Sequence, residues 1–330
     1  MSGFANFAQL QAALNDLPDP NQDTIEGATF RQLDIARYTG SLGRLKEIAI
    51  FMAGWQSLEV PKLDRMQSIV FIGDHGAAKH LTISETPMKI AQKIEGYRNG
   101  KAATSSLAAA GGAELSVIDM CGNDRTGDIS EGPAMSDTEC LAAISSGANA
   151  VKQDMNLLTL GTLGTGSKIS ASAICAQVFG EGAGLWVSRR NGLDARQVVE
   201  RRKIVDSALS LHGTSCDSPF DTLWRLGGRE IAAVAGAILA ARLYGIPVIL
   251  DGFACCAAVA LMSRANPKFG DHCLVAGCSE EPAHRVLLSR LNMHPLIDLD
   301  IELGEGTGAA VAAEIVRAAL VAHNGVLNPA

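Results

Sequence analysis

The chain is poor in aromatic residues, 5% of its 330 positions, while glycine numbers 34. A surface that stacks nucleic-acid bases needs rings, so this composition speaks against one. Basic charge is also short: 28 Lys and Arg stand against 35 Asp and Glu, a net charge of −7. A phosphate-backbone binder needs a basic surface. No nucleic-acid partner is expected, although a small anionic substrate stays compatible, because a few local donors override the global sign.

Long apolar runs are missing. The longest, such as Ile231 to Leu243, are Ala-rich and broken by Gly236 and Arg242. They read as buried helix and not as membrane span, so no membrane partner is expected. Residues 1–20 hold acids and prolines instead of a basic start and an apolar run. A secretory leader is therefore not expected, and a cytoplasmic location is. The eight cysteines include no C-x-x-C pair. A chain this large, with 47% hydrophobic residues, needs no disulfide staples, and reduced thiols follow. His272, Cys273, Cys278 and His284 offer zinc-type side chains without a zinc spacing. The G-x-G-x-x-G, Walker A and G-x-S-x-G patterns are absent too. No metal and no cofactor are expected.

What is present is an alternation. Ser68–Gly73, Glu114–Met120, Met155–Leu160, Pro247–Leu250 and His272–Ala276 are short apolar runs that lead into glycine or polar residues. Such runs read as buried parallel strands. Helical stretches lie between them, for instance Ser136–Val151 and Arg229–Tyr244. The spacing of Leu42, Leu45, Ile48, Ala49 and Met52 predicts a helix over Leu33–Gln56. Residues 1–30, polar and marked by Pro18, Pro20 and Asn21, read as a turn-rich lead-in. Ser136 with Glu139 three residues on has the capping-box spacing. The pattern predicts a mostly parallel α/β sheet flanked by helices, Rossmann-like and three-layered, with ligands beyond the carboxyl ends of the strands.

Three motifs carry candidate chemistry. Leu303-Gly-Glu-Gly-Thr-Gly308 precedes a helix over Ala309–His323. Glycines let the backbone turn tightly and let a substrate approach, so Glu305 projects from the turn. The helix N-terminus behind it favours an anion; a plain loop with Thr307 as helix cap is the competing reading. Gly161-Thr-Leu-Gly-Thr-Gly166, with Ser167 and Lys168, follows a strand and opens a helix from about Ser170. This is the setting of a phosphate cradle, and a strand–helix turn of small residues would look the same. Asp74-His75-Gly76 ends a strand. The pair could serve as a catalytic dyad, hold a metal, or tie loops together; as neighbours in an extended chain the two side chains diverge.

Taken in chain order, a set of blocks resembles the nicotinate-nucleotide:dimethylbenzimidazole phosphoribosyltransferase family. Gly40–Leu45 (GSLGRL), placed in the first helix, is similar to its opening signature, and Asp74-His75-Gly76 to its next block. Glu131–Met135 follows, then Leu226–Ala232 with Pro247–Phe253, then Ser279 with Glu281, Pro282 and His284. Asn292–Asp298, leading into Leu303–Gly308, completes the series, which runs from about residue 40 to residue 310.

The resemblance implies an α/β catalytic domain over residues 62–308 and a small helical domain built from residues 1–61 and 309–330. It implies a homodimer whose active site, at the carboxyl ends of the strands, is partly completed by the neighbouring subunit. It implies transfer of ribosyl 5-phosphate from nicotinate mononucleotide to 5,6-dimethylbenzimidazole or a related base. The products would be nicotinate and α-ribazole 5-phosphate, for the lower ligand of cobalamin, with inversion at the anomeric carbon. The leaving pyridinium is already cationic and departs as a neutral ring. The incoming base must shed an N–H proton, which one carboxylate can take, and Glu305 stands where the family has its general base. Carried over as substrate-binding are Asp74, His75, Gly161, Thr162, Gly164, Gly166, Ser167, Lys168, Arg189, Lys203, Asp251, Gly304 and Gly306.

Three stretches depart from the family. Its second carboxylate, in a loop like Gly-Glu-Met-Gly-Ile-Gly-Asn-Thr-Thr, is Thr162 here, with Lys168 in the part that reads Asn-Thr. Its Gly-Arg-Gly-Thr-Gly-like stretch is Ser188–Gly192, and Leu81–Pro87 differs from its base-pocket segment. All three fall on the substrate side and not on the scaffold. They open two readings: a transferase with a shifted acceptor base, or a non-catalytic paralogue that binds nucleotide or base or partners an active subunit.

Overall fold

The computed structural model describes residues 3–81, 87–121, 124–189 and 194–325, with the backbone alone at 38–39 and 87–90. Its strands are β1 (Met66–Asp74), β2 (Ala113–Asp119), β3 (Leu157–Thr165), β4 (Val248–Leu250) and β5 (Cys273–Val275). They form one parallel sheet in the order β2-β1-β3-β4-β5. β1 is buried at every residue, as a strand covered on two faces must be. It pairs with β3 from Met66 opposite Leu157 to Asp74 opposite Thr165. The chain leaves β1 toward one edge and returns past it to β3, so the strand order reverses between them. The crevice at the carboxyl ends of these two strands is where a doubly wound sheet binds ligand.

The helices before β3 are α1 (Phe7–Asn15), α2 (Gln22–Thr39), α3 (Arg44–Gln56), α4 (Pro87–Arg98), α5 (Ala103–Ala110) and α6 (Asp137–Ala150). Between β3 and β4 come α7 (Ser167–Phe179), α8 (Gly182–Trp186), α9 (Ala195–His212), α10 (Pro219–Leu226) and α11 (Arg229–Tyr244). After β4 come α12 (Phe253–Met262), α13 (Pro282–Arg290) and α14 (Thr307–Gly325). Alternation along β1 sorts the layers. Ile69 and Phe71 enter the larger core, with α6, α7, α11 and α12. Val70 and Ile72 point the other way, toward Ile94 and Tyr97 of α4. On that second face α3 and α14 share a core with Met66, Leu157 and Ile249, and α2 packs outside them.

Two glycines fix the tightest helix crossing. A Cβ on Gly147 of α6 would lie 1.8 Å from the Ala233 carbonyl oxygen, and one on Gly236 of α11 would lie 1.9 Å from that of Ile144. Ser136 caps α6 through the predicted capping box with Glu139.

Three sequence expectations need correction. The helix predicted over Leu33–Gln56 is two helices, because the chain passes through Gly40 and Gly43 at φ +82° and +55°, where only glycine is unstrained. Gly40–Gly43 is thus a junction between two helices, with Arg44 and Leu45 opening α3. The lead-in expected to be turn-rich holds α1, capped by Asn6, and the start of α2, capped by Asn21. Leu10 and Leu14 of α1 are buried and Phe7 stacks on Phe220, an apolar face hidden among polar neighbours. Finally, β3 runs past Leu160 to Thr165, and α7 begins at Ser167. Gly161 and Gly164 do not turn the chain; they let other backbone lie against the strand.

Candidate active site

Glu305 sits where three elements meet. A Cβ on Gly161 of β3 would lie 2.3 Å from the Gly306 nitrogen, so only glycine lets this strand touch the loop. The Thr162 N–H donates to the Gly304 carbonyl at 3.4 Å. Gly304 and Gly306 have φ +63° and +87°, which turns the loop sharply about Glu305. Thr104 of α5 donates to the Glu305 carbonyl at 3.0 Å. The Tyr97 hydroxyl donates to Glu305 Oε2 at 2.6 Å, and Lys93 Nζ lies 3.6 Å from Oε1. Burial, then the hydrogen bond and charge of Glu305, push the Tyr97 phenol far above its ordinary value. The phenol therefore stays a donor.

A cavity of about 250 Å³ opens in front of this carboxylate. Of the predicted residues, Thr162, Gly164, Gly166, Ser167, Lys168, Gly304 and Glu305 line it. Gly166, at φ +95°, is the N-cap of α7 and provides no side-chain cap. The helix thus presents its N-terminus, with a partial positive charge, to the cavity. Lys93, Lys168 and Arg201 add cationic lining, while Leu81, Leu163, Ile169, Phe253 and Leu303 add apolar lining. A second cavity of about 270 Å³, with Lys101 and Thr104 in its wall, lies against Tyr97, Lys93 and Glu305 as well.

Three predicted residues support the site from beneath. Asp74 and His75 are 6% and 1% exposed and diverge. Asp74 Oδ2 accepts from Arg125 at 2.7 Å, and His75 meets Glu230 of α11 at 2.6 Å. Burial alone would raise the Glu230 carboxyl. The charge of His75 and hydrogen bonds from His75 and Ser167 outweigh burial and hold it below its ordinary value. Asp251, at the end of β4, accepts from the Gly308 N–H at 2.9 Å. Burial pushes its carboxyl up to about 6, against backbone donors at Ala309, Gly308 and Gly306 and with the Glu305 charge. Asp251 caps α14 and so anchors the loop that carries Glu305.

The structure does not bring Arg189 or Lys203 to the cavity; both are exposed. Arg201, two positions from Lys203 on α9, lines it instead. Arg190, Asn191 and Gly192 of the altered family stretch, and residues 82–86 of the base-pocket segment, lie outside the described residues. Lys93, Tyr97, Arg201 and Ser279 were not picked out as site residues by sequence reasoning. Only Ser279 carried a signal, in the block shared with His284, whose Nδ1 receives its N–H at 3.1 Å. His272 bonds the Ile238 carbonyl at 3.0 Å. Among the described residues one metal-capable group comes together, His80, Asp128 and Glu131. Lys79 already reaches Glu131 at 2.6 Å and Asp128 at 3.0 Å.

The profile of a phosphoribosyltransferase family matches residues 17–329. The chain belongs to this family. Family members named nicotinate-nucleotide–dimethylbenzimidazole phosphoribosyltransferase include one from Novosphingobium aromaticivorans, 43% identical over 99% of this chain and 96% of its own. One from Mesorhizobium japonicum is 40% identical over 97% and 95%. Among solved structures, that of CobT from Thermus thermophilus matches with a TM-score of 0.84 and 29% identity, covering 91% of this chain and 96% of that one.

Proposed function

We propose that the chain transfers ribosyl 5-phosphate from nicotinate mononucleotide to 5,6-dimethylbenzimidazole or a related base, in the making of the cobalamin lower ligand. The observation that carries this is Glu305, held by Tyr97, in the lining of a cavity that the N-terminus of α7 lines as well. The phosphate would lie on that helix end beside Lys168 and Arg201. The acceptor would lie toward Leu303 and Leu163. Tyr97 occupies Glu305 Oε2, so Oε1, which has Lys93 Nζ at 3.6 Å, would take the N–H proton of the incoming base as its other nitrogen attacks the anomeric carbon. Nicotinate leaves with the electron pair of the broken glycosidic bond and needs no protonation. Gly161, Thr162, Gly164, Gly166, Ser167, Gly304 and Gly306 would shape the substrate side, with Asp74, His75 and Asp251 acting from beneath.

The helical ends, residues 1–61 and 309–330, would form the surface for a second copy. Phe30 and Leu33 of α2 and Val321 of α14 are 66%, 53% and 67% exposed there and would be covered by it. Arg189 and Lys203 would then serve the site only in the dimer. No described helix is long and apolar enough to cross a membrane, and we place the protein in the cytoplasm on the strength of its free thiols.

The test is turnover. Nicotinate release should require an added base, and Glu305→Gln should lower it about 10²–10⁴-fold, the usual contribution of a positioned base. Release without an added base, or none with any base tried, would overturn the reading.

A further inference from the structure

Ser167 is more than the first residue of α7. It lines the cavity yet is only 5% exposed. Its Oγ lies 2.7 Å from Glu230 Oε1 and 3.3 Å from His75 Nε2. That same His75 nitrogen lies 2.6 Å from Glu230 Oε1, while Ser170 Oγ meets His75 Nδ1 at 2.9 Å. His75 and Glu230 are 1% and 0% exposed. Four polar side chains, from the end of β1, from α7 and from α11, close a knot directly under the cavity floor.

Counting hydrogens fixes the direction of the two bonds to Glu230. Glu230 is a carboxylate and accepts only. The hydrogen between it and His75 must therefore sit on Nε2. The Ser167 proton then has no acceptor at Nε2 and turns to Glu230 Oε1. What Ser167 has left for the cavity is lone pairs. A phosphate oxygen gains nothing from such an atom, whereas a hydroxyl donates to it. The knot cannot readily rearrange. A Cβ on Gly73 or Gly228 would lie 2.0 or 2.7 Å from Glu230 Oε2, and one on Gly166 would lie 2.8 Å from the His75 Cβ. Backbone thus packs tightly around both partners.

We propose that the His75–Glu230 pair is a positioning unit that holds the Ser167 hydroxyl as an acceptor for a ribose hydroxyl of the donor nucleotide, beside the helix end that takes its phosphate. The unit acts through Ser167 and touches no reacting atom. The proposal rests on the ribosyl-phosphate reading of the cavity.

The experiment compares steady-state kinetics on nicotinate mononucleotide with those on its 2′-deoxy and 3′-deoxy forms, for the parent, Ser167→Ala and Glu230→Gln. In the parent, one of the two deoxy donors should show a KM raised about five- to tenfold, the value of one hydrogen bond. Ser167→Ala should raise KM for the full donor by a similar factor, more than it lowers kcat, and should no longer distinguish that deoxy donor. Glu230→Gln should lose the same discrimination with Ser167 still present. If that buried variant does not fold, Ser167→Ala decides alone. A parent that handles all three donors equally, or a Ser167→Ala that still discriminates, overturns the proposal while leaving the transferase intact. A parent that releases no nicotinate overturns both.

Discussion

Asp251 shows how a residue can matter to the site without lining it. Its carboxyl, ordinarily near 3.8, is pushed up to about 6 by burial. Between those values the folded chain keeps a proton that the unfolded chain has lost, so this group's contribution to stability falls as pH rises through that window. Asn keeps an acceptor for the Gly308 N–H and does not titrate. Asp251→Asn should therefore gain on the parent by roughly 2 kcal/mol between about pH 4 and about pH 7.5, measured from urea midpoints. A difference that stays flat across that range would show that the carboxyl carries no excess proton. Glu305 could be read from sequence because its flanking glycines announce a special backbone. Tyr97 could not: it sits 208 residues from Glu305 on a helix without a motif, and only the fold joins them. Arg201 was missed for a geometric reason. Two positions on a helix differ by about 200°, so Arg201 and Lys203 face nearly opposite ways, and the run of basic residues does not say which way is inward.

At the scale of elements, the α6–α11 crossing and the β3–loop contact both depend on missing side chains, with different consequences. Gly236→Ala should cost about 1–3 kcal/mol or somewhat more, as overpacking does, while turnover per folded molecule is kept. Gly161→Ala pushes on the loop that holds Glu305, so it should lower kcat in the molecules that remain folded. Denaturant midpoints paired with kinetics separate the two, and equal losses of kcat would contradict this assignment. Strands β1 and β4 and the first half of β3 were legible because burial on both faces writes itself as a continuous apolar run; β2, at the sheet edge, is only partly buried. The end of β3 was not, since glycine signals a turn and a close approach alike. The break between α2 and α3 was lost for the converse reason: apolar spacing continued across Gly40 and Gly43, and local backbone geometry overrode it.

For the molecule as a whole, the alternation of strand and helix gave a parallel three-layer fold, but not the strand order, which depends on crossover direction. The structure leaves all eight cysteines unpaired. Five are buried, and the half-buried Cys121 thiol is pushed up to about 12 by burial and the nearby Asp119. At about pH 8 a thiol reagent should therefore label at most the three partly exposed cysteines of the native protein and all eight in denaturant. Reducing agent should leave the melting midpoint unchanged. Rapid labelling of Cys255 or Cys256 without denaturant would mean that the core opens.

The position of Glu305 in chain order has one more consequence. Strands β1 and β3, and the α7 end that faces the cavity, are all made from the first 170 or so residues. The carboxylate arrives with α14, the last helix described, whose apolar side completes a core begun by α3 and the sheet. During synthesis the wall proposed for the donor, completed by Arg201 of α9 and by Glu230 of α11, thus leaves the ribosome before the proposed proton acceptor does. On the proposed mechanism, transfer waits for α14 to dock, and a chain cut before Glu305 should bind the donor without transferring it.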